Sequence, residues 1–325
     1  MKHAEARGRE RHFSLMSSSN SCQVFKSGKH AVKLASVQQE TGWRSSGGRA
    51  PPKPLLVWAP SEKGEFPVLI FLHGFLLYNS FYSQLLRHIS SHGFVVVAPQ
   101  LYTIAGPDSS GEIISTAKTM DWLVDGLVHH LPSHVRPNFC KLAIAGHSRG
   151  GKVAFAVALG LAKTSLSFSA LMAFDPVDGM GKGKQTNPPI LTHVPRSFDQ
   201  KMAALVIGSG LGGVKKNPFF PPCAPEGVGH RDFFVECSSP ACHLVAKEYG
   251  HMDILDDETK GIRGGATYCL CANGKGREPM RNFVGGAMVA FMRAYLEGDM
   301  NDLWTMRENP ECVMPVEVST SCFHE

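Results

Sequence analysis

The sequence has no run of eighteen apolar residues, so it offers no segment that reads as a membrane-crossing helix. It has no C-x-x-C pair among its nine cysteines, and no histidine or cysteine stands at ligand spacing from Cys269 and Cys271, the two closest. A zinc site is therefore not expected, and mostly reduced thiols are the default, with a disulfide left open. Charge is modest: 19% of residues are charged and the net charge is +5, much of it within the first fifty residues. No basic stripe with interleaved aromatics follows, which argues against nucleic acid as a partner. Acidic residues are scarce in that opening segment, and it lacks the apolar core of a secretory signal.

Residues 1–54 are rich in Ser, Lys, Arg and Gly and end in Ser45-Ser46-Gly47-Gly48 and Pro51-Pro52. This composition fits an organelle transit peptide, and it fits equally a polar tail that buries no core. From residue 55 the pattern changes to strand, turn and helix in alternation. Strands are expected at 55–58, 68–72, 94–98, 142–145, 169–174, 203–207 and 244–247, and helices at 80–92, 113–130, 150–163 and 281–296. Apolar strands alternating with helices imply an α/β domain, a mostly parallel central sheet covered on both faces. The expected domain runs from 55 to 315, followed by a loose tail at 316–325. The Gly- and Pro-rich segments 177–195 and 208–229 are too long for plain connections and read as lids or binding walls.

Gly146-His147-Ser148-Arg149-Gly150 matches G-x-S-x-G between an expected strand and an expected helix. That context is the nucleophile elbow of the α/β-hydrolase fold, where a sharp turn lifts the serine above the sheet. An alkyl hydroxyl needs a base, and the chain order in this fold is serine, acid, histidine. His251, in Tyr249-Gly250-His251-Met252-Asp253 beyond the last expected strand, is the candidate base. His243 starts that strand and reads as structural, and His230 sits in a loop where it could touch a ligand. Asp175 closes the strand 169–174 and is the candidate acid; Asp178 is the alternative, while Asp253 and Asp256 lie too close to His251 in sequence. Backbone N–H groups of Arg149 and of Phe75, in His73-Gly74-Phe75, suit an oxyanion hole. Gly208-Ser209-Gly210-Leu211-Gly212-Gly213 fits G-x-G-x-x-G, but Lys215-Lys216-Asn217-Pro218 follows and cannot open the helix a dinucleotide site needs.

With these residues placed, the chain resembles plant chlorophyllases from about residue 55 to 315. The resemblance rests on Gly146 to Gly151, Asp175-Pro176-Val177-Asp178-Gly179, and Gly181-Lys182-Gly183-Lys184-Gln185-Thr186. It extends through Asn217 to Pro225, Tyr249 to Asp253, Leu255-Asp256-Asp257, Lys260 to Gly264, His73-Gly74 and Leu77-Tyr78-Asn79-Ser80. It implies an α/β-hydrolase that cleaves the phytyl ester of chlorophyll, with nucleophile, acid and base on Ser148, Asp175 and His251. It implies no metal or organic cofactor, since the magnesium belongs to the substrate. Leu76, Leu77, Phe219 and Phe220, beside Phe75, are expected to line an apolar substrate wall, and exposed they would favour transient membrane contact. The family occurs inside and outside plastids, so a chloroplast is expected for this chain, with the cytosol or an endomembrane surface as alternatives.

Overall fold

The computed structural model describes residues 22–39 and 50–323. Nine strands form one sheet: β1 (Val32–Val37), β2 (Leu55–Pro60), β3 (Gly64–Leu72), β4 (Val95–Pro99), β5 (Val135–His147), β6 (Ala170–Phe174), β7 (Ala203–Ser209), β8 (Ala241–Ala246) and β9 (Val318–Phe323). Their spatial order is β1-β2-β4-β3-β5-β6-β7-β8-β9. The six strands from β4 to β8 pair in parallel, while β1, β2 and β9 run antiparallel to their neighbours. All seven expected strands are present, within longer bounds for β3 and β5.

The pleat sends alternate side chains to opposite faces, and each face has its own core. Val68, Ile70 and Leu72 of β3 join one cluster, and Leu69 and Phe71 join the other. The first is closed by helices α2 (Ser110–Gly126) and α3 (Arg149–Ala158), the second by α1 (Ser83–Ser91) and α6 (Glu278–Met292). This is why the parallel strands read as unbroken apolar runs: neither face meets water. Four further α-helices lie among the described residues: α4 (His230–Glu236), α5 (Gly261–Cys269), α7 (Asn301–Glu308) and α8 (Pro310–Val313).

Two segments expected to be tails contribute to the sheet. Strand β1 lies within residues 1–54, and just before it Val24 and Phe25 are buried, with the Phe25 ring filling the space over Gly286 of α6. His88 of α1 adds a hydrogen bond from Nε2 to the Val24 carbonyl, 2.8 Å. At the other end, β9 pairs with β8 along its whole length inside the expected 316–325 tail. Both are edge strands of mixed polarity, so they lack the apolar runs that reveal central strands. The remainder of the expected N-terminal tail, residues 1–21 and 40–49, lies outside the described residues. The disulfide left open by the sequence joins Cys223 to Cys271. No helix among the described residues is long and apolar enough to cross a membrane.

Candidate active site

Strand β5 ends at His147 and α3 begins at Arg149, so Ser148 alone makes the turn, at φ 55° and ψ −122°. A side chain pays for this left-handed geometry with strain, which persists because the surroundings allow nothing else. A Cβ on Gly146 would fall 2.3 Å from the backbone of Gly150, and one on Gly150 would fall 2.2 Å from the Leu72 carbonyl oxygen. The two motif glycines are therefore demanded by the close approach of β5, α3 and the end of β3. Ser148 faces a cavity, and the N-terminus of α3 lies beneath it, where its dipole favours negative charge.

The loop after β3 is braced from below. His73 donates from Nδ1 to the Gly74 carbonyl at 2.9 Å and accepts the Leu101 N–H at Nε2, 3.0 Å. This partner set fixes a neutral ring, and burial lowers its pKa to about 4. The Gly74 N–H goes to the Tyr82 hydroxyl at 3.0 Å, and that hydroxyl lies 2.7 Å from His147 Nδ1. One buried phenol thus ties the loop carrying Phe75 to the residue preceding Ser148. The Phe75 and Arg149 N–H groups, expected to serve an oxyanion, come from this braced loop and from the first turn of α3, and both residues border the cavity.

Asp175 follows β6 at φ 45° and is fully buried. Its Oδ2 meets His251 Nδ1 at 2.8 Å and accepts the Ser209 hydroxyl; its Oδ1 accepts the Ser209 N–H at 3.2 Å. Burial opposes ionisation of this carboxyl, but the His251 contact, the nearby His230 and the Ser209 hydroxyl outweigh it and hold the pKa at about 2. The end of β7, which carries no carboxylate, supplies donors instead. Gly212 stands where a Cβ would be 2.8 Å from Asp175 Oδ2. The G-x-G-x-x-G look-alike therefore packs around the carboxylate, and the next helix does not start until His230.

The other carboxylates have different duties. Asp253 braces the His251 loop by accepting the N–H of Gly250 at 2.7 Å and of Gly274 at 2.6 Å. Asp256 accepts the Ser83 and Gln84 N–H groups at the start of α1. Asp178 pairs through Oδ1 with Lys152 Nζ of α3 at 2.8 Å, with both side chains fully buried. Its Oδ2 accepts Gln185 Nε2 and the Ile190 and Leu191 N–H groups. Asp178 is thus committed to the 177–191 loop and has no contact with His251. His243 and His230 form a pair, Nδ1 of His230 to Nε2 of His243 at 2.8 Å, behind Asp175.

The cavity over Ser148 measures about 480 Å³ and its wall is overwhelmingly apolar, including Phe75, Val177, Met180, Phe220 and Leu270. Arg149, the one charged residue among the described residues lining it, has its guanidinium occupied by protein partners: it forks onto Glu112 (Nε 2.8 Å, Nη2 2.5 Å) and caps the Gly106 and Asp108 carbonyls at 2.6 Å each. Of the four residues expected in the substrate wall, Phe220 lines the cavity and the other three do not. Leu77 is buried in the core with Phe81, Leu76 takes the left-handed turn position at φ 56°, and Phe219 is 90% exposed outside the cavity. The cause is local: the Gly74–Leu77 turn, closed by Leu77 N–H to Gly74 O at 3.2 Å, folds Leu77 inward.

A mostly parallel sheet in this strand order, with a strained serine turn and an Asp–His pair at the carboxyl edge of its strands, defines an α/β-hydrolase. The chlorophyllase family model matches residues 20–325, and the chain belongs to that family. It is 56% identical to Chlorophyllase-2 of Arabidopsis thaliana over 93% of this chain and 98% of that protein. It is 44% identical to Arabidopsis thaliana Chlorophyllase-1, over 84% of this chain and 85% of that one. With the chloroplastic Chlorophyllase-1 of Citrus unshiu it shares 42% identity, over 88% and 84%.

Sequence reasoning missed Ser209, Tyr82 and Lys152. A serine two residues beyond the expected strand end was the available signal for Ser209; the other two are single polar residues inside helix patterns, and only the packed fold brings them to the site.

Proposed function

We propose that this protein hydrolyses the phytyl ester of chlorophyll to chlorophyllide and phytol. Ser148 attacks the ester carbonyl as His251 Nε2 takes its proton, and Asp175 holds the imidazole in the Nδ1–H tautomer and stabilises its charged form. The Phe75 and Arg149 N–H groups receive the oxyanion, phytol leaves with the proton from His251, and water activated by the same ring releases the acid. The carrying observation is the 2.8 Å Asp175–His251 contact at the strand edge that bears Ser148, beneath an apolar cavity of about 480 Å³. An apolar wall suits a hydrocarbon ester and offers nothing to a charged one.

The test is chlorophyllide formation from chlorophyll a by the purified protein and by Ser148→Ala, Asp175→Asn, Asp178→Asn and His251→Ala. Turnover should fall by several orders of magnitude in all but Asp178→Asn. Cleavage of aryl esters with chlorophyll left intact would reject the substrate and leave a general carboxylesterase. Phe219, Ile262 and Ile104, at 90%, 96% and 83% exposure, support transient contact with a lipid surface, which vesicle co-sedimentation of Phe219→Asp would test. Delivery to the chloroplast is supported by the Citrus relatives named chloroplastic; import into isolated plastids tests it.

A further inference from the structure

The Asp175 carboxylate has a second imidazole beside it. His230 Nε2 lies 4.0 Å from Asp175 Oδ1, within ion-pair range and beyond a hydrogen bond, while His251 occupies Oδ2. Behind His230 stands His243, its Nε2 2.8 Å from His230 Nδ1, on β8 and stacked on Phe234 with ring centroids 4.9 Å apart. Burial, the neighbouring His230 and Arg231 lower the His243 pKa to about 3, which keeps that ring neutral. The end of β7 leaves room for the arrangement: a Cβ on Gly208 would fall 2.4 Å from the His230 ring.

Two neutral tautomer arrangements satisfy the 2.8 Å nitrogen pair, and the charge of the carboxylate beyond it favours one of them. His243 donates from Nε2 to His230 Nδ1, which leaves the His230 proton on Nε2, facing Asp175 Oδ1. We propose that His230 is a positioning residue for the reaction, a second imidazole whose N–H faces Oδ1 at 4.0 Å and biases the Asp175 carboxylate electrostatically so that Oδ2 stays on His251. The inference rests on the Ser148–His251–Asp175 reading. Its consequence follows from charge. The groups facing His230 are Asp175 and, through it, His251, then His243 from β8 and Arg231 from its own helix. A donor or a cation at Oδ1 draws on the carboxylate charge that would otherwise stabilise the His251 imidazolium. His230 therefore competes with His251 for the charge of Asp175. Part of the carboxylate's charge is spent on His230, and the orientation of the pair is gained.

The experiment compares His230→Phe, His230→Gln and His243→Phe with Phe234→Leu and Asp175→Asn. The readouts are kcat and KM on a p-nitrophenyl ester from pH 5 to 9, the downfield proton resonance of the Asp175–His251 hydrogen bond, and thermal unfolding. His230→Phe should lower kcat about tenfold at unchanged KM, the size of one lost positioning contact. It should also move the acid limb to higher pH by about half a unit and shift the downfield resonance. His230→Gln, which keeps a donor, should recover most of kcat. An unchanged limb and resonance in His230→Phe, or the same changes from Phe234→Leu, would overturn the proposal. If Asp175→Asn stays active, the triad itself fails; if Asp175→Asn is inactive and His230→Phe behaves as wild type, only the role of His230 fails.

Discussion

Lys152 tests whether the nucleophile helix also holds up the substrate wall. It is fully buried and meets Asp178 at 2.8 Å, the Thr186 carbonyl at 2.6 Å and the Thr186 hydroxyl at 2.8 Å. Removing one partner of a buried pair strands the other, a cost of about 3–5 kcal/mol. In Lys152→Met the Asp178 carboxylate would keep three donors, so the lower end, about 3 kcal/mol, applies. That corresponds to a fall in Tm of roughly 5 °C for a domain of this size. Replacing both members by apolar residues often rescues a buried pair, but here it should not. Lys152→Met with Asp178→Leu would orphan the Ile190 and Leu191 N–H groups, each at about 1–3 kcal/mol, and leave Gln185 Nε2 with the Leu191 carbonyl as its remaining acceptor. The double variant should be less stable than either single one. Lys152→Met with Asp178→Asn removes both charges and keeps an acceptor, and should recover most of the loss. Urea unfolding of all four proteins decides it: a Lys152→Met cost under about 1 kcal/mol, or rescue by the apolar pair, would refute the reasoning.

Reduction of Cys223–Cys271, or Cys271→Ser, opens a loop of 48 residues and should cost at most about 4 kcal/mol by chain entropy, read as a lower Tm in phosphine reductant. Because Cys223 borders the cavity, the same treatment should raise KM for chlorophyll more than for a short aryl ester. Arg149→Lys loses the fork onto Glu112 and one or both capped carbonyls, so chlorophyll turnover should fall about tenfold while Ser148 still reacts with a fluorophosphonate probe. Acid should destabilise the fold through buried neutral histidines. The unfolded chain takes up protons below the ordinary histidine pKa near 6.5, whereas folded His73 resists to about 4 and His243 to about 3. Stability is therefore present above 6.5 and lost as pH falls towards 4, by up to about 3 kcal/mol for His73 alone, and urea titrations at stepped pH should show a shallower slope in His73→Asn.

The parallel strands and the Ser148 turn were legible because their physics is local. A buried strand must be an apolar run, and a turn this tight must be flanked by glycine. The edge strands β1 and β9 were not, since half of each faces water and a composition rich in Ser, Lys and Thr reads as a tail. The identity of the acid was only partly legible, because Asp175 and Asp178 stand three residues apart in one loop. What separates them is the partner each finds in three dimensions: Ser209 and His251 for one, Lys152 for the other. Leu77 misled for the same reason, as the sequence places it in the right loop but the turn points it into the core.

The first turn of α3 explains why the site comes as a unit. Ser148 provides the hydroxyl and Arg149 a backbone donor, while the Arg149 side chain fastens the 106–112 segment and Lys152, one turn on, fastens the 177–191 segment. Both segments line the cavity over the serine. The two cations are spent on loop carbonyls and carboxylates, so the wall they hold is apolar although its anchors are charged. A substitution in either anchor should therefore loosen the grip on a large hydrophobic ester before it touches the chemistry at Ser148. Discrimination between chlorophyll and a small aryl ester, rather than reactivity, is the quantity that the Arg149 and Lys152 variants should change most.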